Sequence, residues 1–75
     1  MINEEIVISI IREMKLGIES NIINDIPLNQ QGMDSLDLMN FYLRLEEKFS
    51  VKITDDIVES NFSIIQLVDY IKSKL

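Results

Sequence analysis

The sequence predicts an all-α fold, a four-helix bundle with three long helices and one short helix. Apolar residues recur at three- and four-residue spacing in three separate segments, and none of these segments alternates as a strand would. Residues that favour helix N-caps stand immediately before each segment. The chain has 75 residues, so we expect a single domain over residues 1–75.

The first long helix is predicted over residues 4–16. Asn3 is the expected N-cap, and acidic residues follow in the first turn, where the helix dipole favours them. Gly17 is the expected left-handed residue just beyond the end. One apolar stripe runs along this helix and consists of Ile6, Val7, Ile10, Ile11 and Met14.

A long connection is predicted over residues 18–33, between the first and second helices. It is rich in Asn and Gln and contains the single proline, Pro27. Connections of this length without regular structure are unusual in compact domains. We therefore expect its isoleucines to pin it to the core, with a short helical turn around residues 20–24.

The second long helix is predicted over residues 35–49. Asp34 is the expected N-cap, and Asp37 can complete a capping box, which leaves Ser35 near the first helical position with its hydroxyl in solvent. The apolar residues of this helix fall on two faces. The core face carries Leu38, Phe41, Leu45 and Phe49 with Tyr42 at its flank, and the opposite face carries Leu36, Met39 and Leu43. This second face is either covered by the long connection or exposed for a partner.

Two further helices complete the predicted bundle. Thr54 is expected to cap a short helix of about six residues, with Asp55 and Asp56 in its first turn. The last helix begins after a capping box formed by Ser63 and Gln66, and its core stripe continues to the end of the chain.

Composition restricts the classes of function. The formal net charge of −6 disfavours nucleic-acid binding and suits docking to basic protein surfaces, although acidity also serves solubility alone. No apolar run is long enough to span a membrane. The chain lacks cysteine, so no disulfide is possible and a reducing compartment is the simpler assumption. We also expect a cytoplasmic monomer.

The residues also argue against an enzyme. The chain has no histidine, no cysteine and no glycine-rich phosphate loop, and its acidic pairs lack the spacing of a metal-binding loop. A nucleophilic serine requires a base within hydrogen-bond reach, and none is evident beside Ser35. We therefore predict neither a catalytic residue nor a metal site.

Four stretches together resemble the acyl carrier protein family. They are Gly32-Met33-Asp34-Ser35-Leu36, the helix ending Leu45-Glu46-Glu47-Lys48-Phe49, the turn Ile53-Thr54-Asp55-Asp56 and the ending Asp69-Tyr70-Ile71-Lys72-Ser73-Lys74-Leu75. The resemblance covers about residues 3–75 and implies a four-helix bundle of the acyl-carrier type. It also implies that Ser35 carries 4′-phosphopantetheine, which a phosphopantetheinyl transferase adds from coenzyme A with Mg²⁺. The arm then holds acyl groups as thioesters.

The resemblance also implies partners and a surface that they recognise. The partners are the phosphopantetheinyl transferase, an acyl- or aminoacyl-loading ligase, and the synthases and transferases of a fatty-acid, polyketide or related specialised pathway. They are expected to dock beside the modified serine. The expected docking residues are Asp34, Leu36, Asp37, Met39, Leu43, Glu46 and Glu47, with Asp55, Asp56 and Glu59 as a second acidic contribution.

Four residues depart from the family pattern, one of them Tyr42, which is bulkier than usual at its position. Gln31 stands where leucine is common, which predicts a less firmly packed approach to the serine. Asn40 replaces a residue that is often acidic, and Arg44 adds a cation to the helix flank. These changes weaken the acidic recognition face, put a housekeeping fatty-acid role in doubt and leave room for a specialised pathway such as polyketide, lipopeptide or aminoacyl transfer. Three alternatives to an acyl carrier stay open. An aminoacyl or peptidyl carrier is the first, and an acidic helical inhibitor or an interaction module without a prosthetic group are the others.

Overall fold

The computed structural model describes residues 2–75, apart from the side chain of Glu19; Met1, which the predicted domain includes, lies outside the described residues. These residues form four α-helices: α1 (Glu4–Glu13), α2 (Ser35–Phe49), α3 (Asp55–Glu59) and α4 (Ile64–Lys74). Two 3₁₀ turns, Glu19–Asn21 and Leu28–Gln30, lie in the connection between α1 and α2. The predicted all-α fold with three long helices and one short helix is therefore confirmed.

The core lies where the apolar stripes of α1, α2 and α4 meet. α1 packs against both α2 and α4, and α3 contacts α2. The long connection contributes Leu28 and Met33, each about 1–2% exposed. The helical side chains buried in this core are Val7, Ile10, Ile11, Leu38, Phe41, Tyr42, Leu45, Ile64, Leu67, Val68 and Ile71.

The end of α1 differs from the prediction. The helix stops at Glu13 because its last turn tightens: the Met14 N–H donates to the Ile11 carbonyl at 3.0 Å, and the Lys15 N–H donates to the Arg12 carbonyl at 3.1 Å. Lys15 then takes the left-handed conformation at φ 56°. Gly17 also has a positive φ, 85°, but α1 ends earlier than predicted, so Gly17 is not the residue just beyond its end. Lys15 takes that position, at a cost of roughly 1–2 kcal/mol for a residue with a side chain.

The connection between α1 and α2 packs against the start of α4. The Leu28 N–H donates to the Phe62 carbonyl at 3.3 Å, and the Ile65 N–H donates to the Asn24 carbonyl at 3.1 Å. These bonds satisfy backbone groups in a segment that has little regular structure of its own. The path leads the connection across the junction between α3 and α4.

The short helix α3 has five residues and begins after Thr54, as predicted. Thr54 has the extended backbone of an N-cap, at φ −83° and ψ 165°, but its side chain accepts no backbone N–H. Its hydroxyl instead donates to Asp56 Oδ1.

Within residues 2–75, no helix has the length and apolar character that crossing a membrane requires.

Candidate functional site

The start of α2 is fixed by a reciprocal pair of hydrogen bonds between Asp34 and Asp37. Asp34 Oδ1 accepts from the Asp37 N–H at 2.8 Å, and Asp37 Oδ2 accepts from the Asp34 N–H at 3.3 Å. Asp34 has an extended backbone, at φ −80° and ψ 179°, and its carbonyl accepts the first intrahelical bond from the Leu38 N–H at 2.9 Å. The predicted capping box is confirmed, and it fixes Ser35 as the first helical residue.

The Ser35 side chain is exposed at this helix start. Its hydroxyl has no hydrogen-bond partner within residues 2–75, because Asp34 already supplies the oxygen that caps the helix. Since Ser35 occupies the first turn, no preceding turn of helix covers it. The hydroxyl is therefore accessible to a reagent approaching from solvent, and a group attached there would not displace a structural bond.

The electrostatics at this end combine two opposing effects. The first N–H groups of α2 lack intrahelical partners and carry the positive end of the helix dipole, which favours an anion. The carboxylates of Asp34 and Asp37 already occupy part of that environment. A phosphate ester on Ser35 would therefore meet the free N–H groups of Ser35 and Leu36 beside two negative charges, in a position where solvent screens the repulsion.

The outward face of α2 is open. Leu36, Met39 and Leu43 are 65%, 61% and 51% exposed, although each is a large apolar side chain. The long connection does not cover them, although its Leu28–Gln30 turn contacts α2. Of the two alternatives that the sequence left open for this stripe, exposure is the one that the structure shows. An apolar stripe of this kind is typical of a surface that a partner covers.

The acidic residues predicted for docking differ in how free they are. Asp34, Glu47, Asp55, Asp56 and Glu59 are exposed, whereas Asp37 and Glu46 are half-buried. Glu46 Oε2 accepts a hydrogen bond from the Ile53 N–H at 2.7 Å, so this carboxylate also holds the segment that leads to α3.

Charge is distributed unevenly around the exposed stripe. Along α2, Arg44 and Lys48 offset part of the acidic charge, and both cations are exposed. No basic residue occurs between Thr54 and Ser63, so the acids of α3 stand without a neighbouring cation in sequence. Residues 34–49 thus carry four acids and two cations, whereas residues 54–63 carry three acids and no cation.

The approach to α2 contains a contact that the sequence did not reveal. The Gln31 side chain accepts from the Ile23 N–H at 2.7 Å and donates to the Ile23 carbonyl at 2.8 Å and the Ile26 carbonyl at 2.7 Å. The expectation that Gln31 leaves this loop less firmly packed is therefore wrong. Its amide supplies both a donor and an acceptor, which leucine at this position could not do.

Within residues 2–75, no three or more acidic, histidine or cysteine side chains are grouped so that they could hold a metal ion. What the site offers is an unengaged serine hydroxyl at a helix start, an apolar stripe beside it and acids around that stripe. In a small helical bundle, these features suit a carrier domain, which holds a group on an exposed side chain and presents it.

The chain belongs to the phosphopantetheine attachment site family, which it matches over residues 5–71. Domains of this family carry 4′-phosphopantetheine covalently and act as carriers rather than as enzymes. The match covers almost the whole of the described bundle, from α1 to α4.

Individual relatives agree with this assignment. The chain is 44% identical over 54 residues to an acyl carrier protein of Campylobacter curvus, which is 72% of this chain and 64% of the relative. It is 45% identical over 53 residues to an acyl carrier protein of Campylobacter fetus subsp. fetus, which is 71% of this chain and 62% of the relative. The corresponding protein of Campylobacter concisus is 44% identical over 55 residues, with coverage of 73% and 65%. The matched stretch thus spans less than two thirds of each relative's length.

Proposed function

We propose that this chain is an acyl carrier protein whose 4′-phosphopantetheine is attached to Ser35 Oγ. The observation that carries the proposal is the exposed Ser35 hydroxyl, which the capping box of Asp34 and Asp37 leaves without a partner. The chain's membership of a phosphopantetheine attachment family supports it. So do relatives that are themselves acyl carrier proteins.

The site fits the attachment chemistry. In the modification, Ser35 Oγ forms a bond to a phosphorus of coenzyme A, the bond from that phosphorus to the bridging oxygen breaks, and adenosine 3′,5′-bisphosphate leaves. The hydroxyl proton passes to a base of the transferase, since no base within the described residues 2–75 forms a hydrogen bond with Ser35. When attached, the group supplies a terminal thiol that holds the cargo as a thioester.

The residues of this chain would hold and present the arm without taking part in later chemistry. Asp34 and Asp37 fix the helix start, and the first N–H groups of α2 would stabilise the phosphate ester of an arm on Ser35. The proposed docking surface combines the exposed stripe with the surrounding acids. Its members are Asp34, Leu36, Asp37, Met39, Leu43, Glu46, Glu47, Asp55, Asp56 and Glu59.

Such a surface suits several enzymes in turn. Exposed acids increase the rate of encounter with basic surfaces, and a small apolar contact adds modest affinity that permits release. We propose as partners the phosphopantetheinyl transferase, a loading ligase, and the synthases or transferases of a fatty-acid, polyketide or related pathway. The proposed working form is a cytoplasmic monomer.

The test is an intact-mass measurement. Incubating the unmodified protein with coenzyme A, Mg²⁺ and a promiscuous phosphopantetheinyl transferase should add one phosphopantetheine, and peptide mapping should locate it on Ser35. Ser35→Ala should remain unmodified.

Ser63→Ala is the matched control, because it removes the other serine at a helix start, and it should be modified at the wild-type site. An unmodified wild-type protein, or an arm on another residue, would contradict the proposal. Loading the modified protein with fatty-acyl and aminoacyl ligases then tests the nature of the cargo. If only aminoacyl groups are loaded, the chain is an aminoacyl carrier and not an acyl carrier.

A further inference from the structure

The Gln31 side chain acts as a bridge across the connection between α1 and α2. Its amide makes three hydrogen bonds of 2.7 to 2.8 Å, two with the backbone of Ile23 and one with the carbonyl of Ile26. The two bonds with Ile23 reproduce the paired donor and acceptor that a neighbouring strand would offer. The bridge thereby connects two positions eight residues apart in a segment that has little regular structure.

The bridge lies next to Gly32, where the backbone has wide conformational freedom. Gly32 follows Gln31 and has φ +95°, a conformation that residues with a side chain rarely adopt. A Cβ on Gly32 would also approach Ile18 Cγ2 to 3.2 Å. Glycine is required here, and its wide conformational freedom means that neighbouring residues must fix the direction of the chain.

Two residues flank Gly32. Gln31 holds the chain before Gly32 by its three polar contacts, and Met33, which is 2% exposed, anchors the chain after it. Asp34 and Ser35 come directly afterwards. Losing the side-chain bonds would leave Gln31 held by one backbone bond, from its N–H to the Leu28 carbonyl at 3.0 Å, and would loosen the approach to the helix start that presents Ser35.

We infer that Gln31 is a positioning residue for the modification of Ser35. It does not contact the hydroxyl; it restricts the approach at Gly32 so that Ser35 Oγ occupies one position when the transferase docks. The inference rests on the proposed attachment at Ser35. Its consequence is specific: loss of the bridge should lower the turnover of modification more than the affinity for the transferase, because the docking stripe on α2 is unchanged.

The experiment measures kcat and KM for phosphopantetheinylation of Gln31→Ala, Gln31→Leu and the wild-type protein. The probe is coenzyme A with Mg²⁺ and a promiscuous transferase, at a temperature where circular dichroism shows every variant folded. We expect kcat to fall about tenfold, since small misplacements of a reacting atom cost up to roughly a hundredfold, and KM to stay within about twofold.

Two controls separate positioning from general destabilisation. Gln30→Ala changes the neighbouring glutamine, whose exposed side chain is not part of the bridge, and should retain wild-type kinetics. Ser63→Ala removes the cap of α4, at the α3–α4 junction, and should lower stability without lowering kcat.

A pH series on Gln31→Glu provides an independent readout. At neutral pH the carboxylate would face the carbonyls of Ile23 and Ile26 and could not donate to either. As pH falls from 8 to 5.5, the carboxyl begins to bind a proton and regains a donor. The kcat of this variant relative to wild type should therefore rise as pH falls.

The outcomes are distinguishable. If the wild-type protein is not modified, the proposed function fails. If the wild-type protein is modified and the Gln31 variants match its kcat, the inference about Gln31 is overturned. It is also overturned if Gln31→Ala leaves amide hydrogen exchange at Ile23 unchanged, because the bridge would then not protect that N–H, or if Ser63→Ala lowers kcat equally.

Discussion

Helices α2 and α4 begin with the same kind of hydrogen-bonded cap, but the serines at the two starts differ in whether the hydroxyl is available. Each start is a reciprocal capping box, made by Asp34 and Asp37 in α2 and by Ser63 and Gln66 in α4. In α4 the serine is itself the N-cap: Ser63 Oγ accepts from the Gln66 N–H at 3.3 Å, and Ser63 is 3% exposed. In α2 an aspartate is the cap, and Ser35 stands one residue further along with an unengaged hydroxyl. A shift of one residue therefore decides whether a serine is structural or available.

The surroundings of the two starts extend the difference. The connection between α1 and α2 crosses the start of α4, where the Ile65 N–H donates to the Asn24 carbonyl, and Ile64 is fully buried. Nothing comparable lies over the start of α2 within the described residues, and Leu36 is 65% exposed. The same chain segment thus buries one helix start and leaves the other open.

Exchanging the two residues at the start of α2 should remove the difference between the two helix starts, and it is expected to have the largest effect. In the double variant Asp34→Ser with Ser35→Asp, the serine becomes the N-cap and its hydroxyl accepts the Asp37 N–H, as Ser63 does in α4. We expect complete loss of phosphopantetheinylation in the intact-mass assay. The helix should persist, because serine caps well and an acid is favourable in the first turn.

The free energy of unfolding, measured in urea, should therefore stay within about 1 kcal/mol of wild type. The converse control is Ser63→Ala, which should lose about 0.5–2 kcal/mol and keep full modification. An arm attached at position 34 of the exchanged variant would show that engagement of the hydroxyl does not decide availability.

Local patterns in the sequence were sufficient to predict these helix starts. Both capping boxes, and the Asn3 cap whose Oδ1 accepts from the Ile6 N–H at 2.9 Å, join residues three apart. Such contacts form wherever a helix begins, so residue type and spacing predict them without knowledge of the fold. The serine at the first position of α2 was predictable for the same reason.

Contacts that depend on the folded path could not be predicted in this way. Gln31 reaches back eight residues to Ile23, and Glu46 reaches forward seven residues to Ile53. Both need the connecting segments to return close to their starting points, which no periodicity encodes. The left-handed Lys15 at the end of α1 is similar, because residue type favoured Gly17.

The exposed stripe was predictable only in part. Periodicity placed Leu36, Met39 and Leu43 on one side of α2, opposite the core. Whether the long connection covered that side depended on its route, and the backbone bonds of Asn24 and Leu28 direct it to the α3–α4 junction. Attachment at Ser35 and the docking residues stay predictions for the experiments described here.

The outward face of α2 and the inward face of α4 can be compared by the same truncation. Leu67→Ala removes a fully buried side chain of α4 and should cost about 2–5 kcal/mol of unfolding free energy. Leu43→Ala, at a side chain that is 51% exposed, should cost less than about 1 kcal/mol.

Leu43→Ala should instead raise KM for the transferase, because it removes apolar area from the proposed docking stripe. Urea denaturation and modification kinetics measure the two effects separately. A large loss of stability in Leu43→Ala, or an unchanged KM, would argue that this stripe belongs to the fold and not to partner docking.

The smallest expected effect concerns the tyrosines of the two helices, which differ in burial. Tyr70 on α4 is half-buried, and its hydroxyl donates to the Lys52 carbonyl at 3.1 Å, whereas Tyr42 on α2 lies in the core and is 4% exposed. Burial raises the pKa of Tyr42 above its ordinary value of about 10, because removal from water penalises the phenolate. The folded state therefore holds this proton more tightly than the unfolded state.

The resulting stabilisation is fully present below about pH 10 and is lost as pH rises through the higher pKa of the folded state. Tyr42→Phe has no phenol to titrate, so its unfolding free energy should fall less steeply between pH 9 and 11 than that of the wild-type protein. Urea midpoints across this range measure the slopes, and because the two proteins differ at one side chain only, the difference isolates Tyr42. Equal slopes would mean that the Tyr42 phenol is solvated in the folded chain, and that this flank of α2, like its outward face, lies open to water.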